Sequence, residues 1–199
     1  MAHPVVYYVR HGETDWNVER RLQGRQDIPL NANGRAQAAR CGDILRGLFV
    51  RDGKTAADLD FVCSPLGRAR ITMELMRGAL GLDPSAYAVD DRLIEISFGA
   101  WEGKTLAEMA VLDSGLVAAR TQDKWAFLPP GGESYADLAD RMGDWYATLT
   151  RDTVVVAHGG TARGLIAHLQ IIQPRAAPLY DVGQGVVYVI EPGSITKYS

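Results

Sequence analysis

Near the N-terminus, Val5-Val6-Tyr7-Tyr8-Val9 runs straight into Arg10-His11-Gly12-Glu13-Thr14. Arginine offers a planar fork of N–H donors that matches phosphate oxygens. Histidine, with an ordinary pKa of about 6.5, is a neutral nucleophile near pH 7. A glycine beside them lets backbone come close to a ligand. These types in this order suggest phosphate chemistry. A second histidine, His158, stands before Gly159-Gly160, and a further arginine, Arg68, follows Val62-Cys63-Ser64-Pro65. Glu95 and Glu102 place carboxylates within Leu93–Gly103, and residue type alone does not choose between them.

Chemistry needs these groups in one place, and the elements implied by the hydropathy pattern bring them there. Val5–Val9, Leu59–Cys63, Thr153–Ala157 and Val186–Ile190 are short apolar, β-branched runs that read as buried strands, with Tyr87–Val89 as a further short candidate. Asp15–Leu30 has no period and reads as a loop. Asn31 or Asn33 caps a helix with Ala38, Cys41, Ile44, Leu45 and Leu48 inward. Ser64-Pro65 reads as N-cap and first residue of a helix with Leu66, Ala69, Met73, Met76 and Leu80 inward. Thr105–Arg120 is helical with a smeared period. Ser134–Thr150 is amphipathic, with Tyr135, Leu138, Met142, Trp145 and Leu149 on one side. A last helix buries Ala162, Leu165, Ile166 and Leu169, and leaves His168 off its apolar stripe.

Strands alternate with helices, and the strands are continuously apolar. That pattern predicts an α/β three-layer sandwich, a mainly parallel sheet with helices on both faces. In such a sheet Arg10, His11, Arg68 and His158 share the carboxyl edge, where open α/β sheets build their sites. The pocket would lie near a helix N-terminus, which attracts anions.

Composition bounds the partners. The chain has 199 residues, 47% hydrophobic and 23% charged, with a net charge of -3 and no basic block. One domain over 1–199 is expected, without nucleic acid as partner. No apolar run approaches the roughly 20 residues of a membrane span, and no signal-peptide pattern opens the chain. Cys41 and Cys63 have no metal or redox spacing and are expected to be reduced, which fits a cytoplasmic protein. His3 is expected to be solvated. The sequence leaves open whether the chain is a homodimer.

Six stretches, in order, carry a family resemblance: RHGETDWN at 10–17, LQGRQDIPLNANGRAQA at 22–38, CSPLGRARIT at 63–72, LIEISFGAWEG at 93–103, PPGGES at 129–134 and VVVAHGG at 154–160. The chain resembles the histidine phosphatase superfamily, in its phosphoglycerate-mutase-like branch with the Arg-His-Gly signature. The resemblance implies that His11 accepts the phosphoryl group and that Arg10, Asn17, Arg68 and His158 hold its oxygens. It makes Glu95, rather than Glu102, the general acid, and it implies no metal and no cofactor. Gln23, Gly24 and Trp125 are candidate substrate contacts, and Trp125 and Phe127 belong to a segment that would form a lid or side wall. The expected partner is a small phosphorylated substrate.

Two activities compete within that resemblance. A cofactor-dependent mutase presents extra arginines in a longer segment after the Trp-Glu-Gly turn, whereas 104–128 here is short and carries only Lys104, Arg120 and Lys124. This favours a phosphatase, although Arg20-Arg21 keeps the mutase in view. A non-catalytic phospho-ligand-binding domain would be expected to lack His11, His158 or Glu95, and all three are present.

Overall fold

The computed structural model describes residues 4–199; His3 lies outside them. The strands are β1 (Val6–Arg10), β2 (Asp60–Cys63), β3 (Ala88–Val89), β4 (Thr153–Ala157), β5 (Val187–Glu191) and β6 (Ser194–Tyr198). They form one sheet in the order β3-β2-β4-β1-β5-β6. The first four run parallel, with Tyr8 opposite Val155 and Val62 opposite the same Val155 on the other side. β5 runs antiparallel to β1, and β6 antiparallel to β5.

The helices are α1 (Asp15–Val18), α2 (Ala32–Asp52), α3 (Gly67–Ala79), α4 (Leu106–Leu112), α5 (Ser114–Gln122), α6 (Tyr135–Tyr146) and α7 (Gly159–His168). Side chains alternate across a strand, so β1 serves two cores. Tyr7 and Val9 pack with Cys41, Leu45, Met73 and Met76 of α2 and α3. Val6 and Tyr8 pack with Leu138, Met142, Leu165 and Ile166 of α6 and α7. This is the three-layer sandwich with helices on both faces. Burying each such side chain contributes about 1.5–3 kcal/mol, which keeps the carboxyl ends of β1 and β4 side by side.

Several local expectations change. Ser64 does not cap α3: the cap position is Leu66, which has no side-chain capping bond. Instead Asp27, from the preceding loop, accepts from the backbone N–H of Gly67 (2.7 Å) and Arg68 (3.3 Å). The 15–30 stretch is not all loop, because Thr14 and Asn17 form a reciprocal cap that starts α1. The 105–120 helix is two helices, broken at Asp113, whose carboxylate caps α5 through Leu116 N–H at 3.0 Å. β6 is an added edge strand after the turn at Gly193, and only Ile195 and Tyr198 of its residues are half-buried, leaving no apolar run to read.

Candidate active site

The β1 edge delivers Arg10 and then His11, whose backbone N–H still bonds Ala157 O of β4 at 2.9 Å. His11 is 2% exposed. Its Nδ1 lies 2.7 Å from Gly12 O. A carbonyl can only accept, so Nδ1 carries the proton and Nε2 keeps its lone pair. Burial, and then the Arg68 and Arg10 charges, hold the His11 pKa well below its usual 6.5. The ring is thereby a neutral base or nucleophile near pH 7.

Gly12 serves packing rather than ligand approach, a correction to the sequence reading. A Cβ there would fall 2.2 Å from Gly34 O, so the glycine lets the loop lie against the first turn of α2. Glu13, on the same loop, accepts from Asn31 and Asn33 side chains at 3.1 and 3.0 Å and leaves Arg10 free of it. Arg10 instead donates Nη1 to Val182 O at 2.8 Å.

His158 is fully buried at the end of β4, its ring centroid 5.2 Å from that of His11. Its Nε2 lies 2.7 Å from Ser64 Oγ. Leu66 N–H donates to that same oxygen at 3.4 Å; in the tautomer where the serine O–H donates to Nε2, the proton sits on Nδ1. Burial, followed by the charges of Arg68, His11 and Arg10, lowers this histidine's pKa well below 6.5 as well. Tyr8 Oη anchors the turn: it donates to His158 O at 2.7 Å and accepts from His158 N–H at 3.1 Å. Ser64 and Tyr8 were not singled out from sequence. A hydroxyl in a strand end looks like a cap or a core residue until its long-range partner is known.

Arg68 is 1% exposed. It donates Nη2 to Gly24 O at 2.7 Å and Nη1 to Gln26 O. The 22–27 loop thus aims the guanidinium, and Gly24 supports it with backbone. Asn17 Oδ1 accepts from Thr14 N–H (3.1 Å) and Gln184 Nε2 (3.0 Å), and Gln184 also donates to His11 O at 3.0 Å. Gln184, preceding β5, is a further residue that the sequence did not mark.

The two candidate carboxylates separate cleanly. Glu102 accepts from the backbone N–H of Arg25 (3.1 Å) and Phe98 (3.1 Å), tying one loop to another. Glu95 faces the cavity and accepts from Ile96 N–H (2.9 Å) and Gly160 N–H (3.2 Å) at the start of α7. A Cβ at Gly160 would fall 2.3 Å from Glu95 Oε1, so a side chain there would push the carboxylate out of this position.

The cavity, of about 130 Å³, is lined by Arg10, His11, Asn17, Gln23, Gly24, Arg68 and Glu95, together with Tyr135, Gly159, Gly160 and Arg163. Trp125 is not among its lining residues. It is half-buried and packs against the apolar cluster on the α6 and α7 side. Phe127 lies in an adjoining recess, its ring 5.2 Å from that of Trp101. Arg163 and Tyr135, which the sequence did not mark as site residues, also line the cavity, as does Arg21 of the Arg20-Arg21 pair. Among the described residues no group of three or more His, Cys, Asp or Glu is placed to hold a metal ion, and no helix is long and apolar enough to cross a membrane. Cys41 and Cys63 are free and buried.

Among the described residues, four buried side-chain polar atoms find no protein partner: Arg10 Nε, Arg68 Nε, His158 Nδ1 and Gln23 Oε1. Each such orphan costs about 1–3 kcal/mol if nothing meets it. Three of the four are N–H donors on the arginines and the second histidine that surround His11. The arrangement is that of an anion receptor built around a neutral imidazole.

The histidine phosphatase superfamily (branch 1) profile matches residues 6–196, and the chain belongs to that family. It is 37% identical over 180 residues to a bifunctional protein of Mycobacterium tuberculosis, covering 90% of this chain and 45% of the relative. It is 37% identical over 140 residues to the probable phosphoglycerate mutase GpmB of Salmonella choleraesuis, covering 69% of this chain and 59% of the relative. The chain therefore spans about half the length of the curated relatives it matches. Among solved structures, a putative alpha-ribazole-5′-P phosphatase from Escherichia coli superposes with a TM-score of 0.80 at 26% identity, covering 98% of this chain and 94% of the other. A mycobacterial glucosyl-3-phosphoglycerate phosphatase superposes with a TM-score of 0.76 at 32% identity, covering 94% and 89%.

Proposed function

We propose that this chain is a phosphomonoester hydrolase that works through a phosphohistidine at His11 on a small phosphorylated metabolite. The observation that carries the reading is the set of orphaned donors, Arg10 Nε, Arg68 Nε and His158 Nδ1, around one histidine. A phosphoryl group would satisfy all three. In the first step the His11 Nε2 lone pair attacks phosphorus and the bond from phosphorus to the alcohol oxygen breaks. Glu95 gives its proton to that oxygen, which leaves as the alcohol. In the second step water attacks the phosphoryl group, gives its proton to Glu95, and the phosphorus–nitrogen bond breaks. Splitting one slow hydrolysis into two displacements makes each easier. The transition state is loose, so the work falls to cations placed around the equatorial oxygens. Proton delivery by the acid contributes about 10²–10⁴-fold.

The phosphatase reading is further supported by the phosphatases among the structural relatives, and the mutase alternative by the likeness to GpmB. The test is phosphate release from p-nitrophenyl phosphate and 3-phosphoglycerate in EDTA, with His11→Ala alongside and a mutase assay primed by 2,3-bisphosphoglycerate. Release that vanishes in the variant is the expected result. Mutase turnover with little release would exchange the two activities. No release and no acid-labile phosphoryl label on the protein would leave a binding domain.

A further inference from the structure

The loop at 180–184, just before β5, comes from the far end of the chain and reaches behind the phosphate site. Its Val182 carbonyl accepts from Arg10 Nη1 at 2.8 Å. Its Gly183 N–H donates at 2.7 Å to the hydroxyl of Tyr188, a buried residue of β5. Gln184 follows, and Nε2 of its side chain makes two bonds at 3.0 Å, one to His11 O and one to Asn17 Oδ1. Asn17 Oδ1 takes two further donors, Thr14 N–H at 3.1 Å and Thr14 Oγ1 at 3.2 Å.

The two ends of a carboxamide have nearly the same shape, so only their hydrogen-bond partners decide which way the group points. Here a backbone group at each end of the chain of contacts makes that choice. Thr14 N–H can only donate, so it requires the oxygen of Asn17. His11 O can only accept, so it requires the amino end of Gln184. The contact between the two amides is then N–H to oxygen, and turning either one over would set nitrogen against nitrogen or oxygen against oxygen. With Oδ1 holding three donors, Asn17 turns its Nδ2 away from them, and among the described residues that nitrogen donates to no protein group. Asn17 lines the cavity beside Arg10 and His11. A role as a plain loop tether would need only the bond to His11 O. The bond to Asn17, made across 167 positions, bears instead on a side chain of the site.

We propose that Gln184 is a positioning residue of the phosphate site: it locks the carboxamide of Asn17 so that both Nδ2 protons are presented to the phosphoryl oxygens. The proposal rests on the phosphohydrolase reading, in which the phosphoryl group sits over His11. The same loop that steadies Arg10 through Val182 O thereby also aims the neutral donor opposite it. A donor fixed beforehand loses little freedom when the anion arrives, so its bond contributes more to binding.

Calorimetric titration with inorganic phosphate tests this without requiring turnover. The proteins compared are the unsubstituted chain, Gln184→Met, which has similar length and no donor, Asn17→Ala, and the double variant. Each single substitution should weaken phosphate binding about tenfold, the scale of one hydrogen bond to a charged group. If Gln184 acts through Asn17, the double variant should bind within about twofold of Asn17→Ala. Losses that multiply to about a hundredfold would overturn the proposal, as would a Gln184→Met protein that binds as the unsubstituted one does. A second measurement needs no substitution: in the nitrogen-15 NMR spectrum, phosphate should shift the Asn17 side-chain amide protons and leave those of Gln184, already bonded, nearly in place. An unmoved Asn17 amide would also overturn the proposal. Failure of the unsubstituted protein to bind phosphate at all would overturn the phosphate-site reading together with it, whereas normal binding with an indifferent Gln184→Met overturns the positioning role alone.

Discussion

At the floor of the cavity and directly behind it, Arg68, His11 and His158 are 1%, 2% and 0% exposed, each held by a strand end or a helix's first turn. On the wall at 104–128, Arg120 lies on α5 and Lys124 in the turn just after it, and Val111 and Leu112 of the same segment are 88% and 66% exposed. The floor is fixed by two cores and by hydrogen bonds spanning up to 173 positions, from Gln184 to His11. The wall has local caps at Thr105 and Asp113, and its end is tied to the rest of the fold through Lys124 and Pro178 O at 2.7 Å and through Trp125. A group that must meet phosphorus in line needs the first kind of support. A group that only selects among alcohols can sit on the second, where sequence can change without disturbing the sheet.

The comparison can be broken most sharply at its centre. His11→Ala should remove about 10⁴-fold or more of phosphate release, because the acceptor itself is lost; steady-state kinetics on an activated ester checks it. If release persists, the floor is not where the chemistry happens. Glu95→Gln keeps the shape and removes the proton. It should cost about 10²–10⁴-fold with an alkyl ester and much less with p-nitrophenyl phosphate, whose leaving group needs no acid. An equal loss on both esters would assign Glu95 a packing role.

Ser64→Ala tests whether the floor depends on support behind it. With its Nε2 partner gone, the His158 ring is free to turn and Nδ1 loses its aim. A loss of about 5–150-fold is expected, equivalent to about 1–3 kcal/mol for an unpaired buried group. It should appear in kcat/KM, with Ser64→Thr restoring part of it.

The smallest effect is on stability. Folded His11 and His158 have pKa values below the ordinary 6.5. Below about pH 6.5, therefore, the unfolded chain binds protons that the folded one does not, and stability falls as pH falls. Carboxylates held low by ion pairs, such as Asp52 and Asp90, add their loss only near and below 3.8. Tm should drop between pH 7.5 and 5.5, and by less in His158→Gln; an unchanged slope in that variant would locate the pH dependence elsewhere.

Much of the floor was legible. The apolar runs ending in Arg10-His11 and in His158, with Arg68 just past a third run, required only that the strands be parallel for the groups to converge. The register of β1 on β4 and of β4 on β2 does this. Ser64 was legible only as a helix cap, because its real partner is 94 positions away. Asp27 was silent for the same reason, acting as a cap across 40 positions. The sequence leaves Trp125 either meeting substrate or packing its segment down; the side chain packs against the cluster on the α6 and α7 side. β6 escaped because an edge strand with one half-solvated face carries no apolar run.

What the sequence determined by itself was the chemistry on offer and the layered fold, because hydrophobic period and residue type are local properties of a chain. The orientation of the His11 ring, which of two nearby glutamates reaches the cavity, and that Arg163 stands beside Arg10 were decided only by tertiary structure. Those are matters of orientation among groups brought together from distant parts of the chain, and no spacing along the chain encodes them.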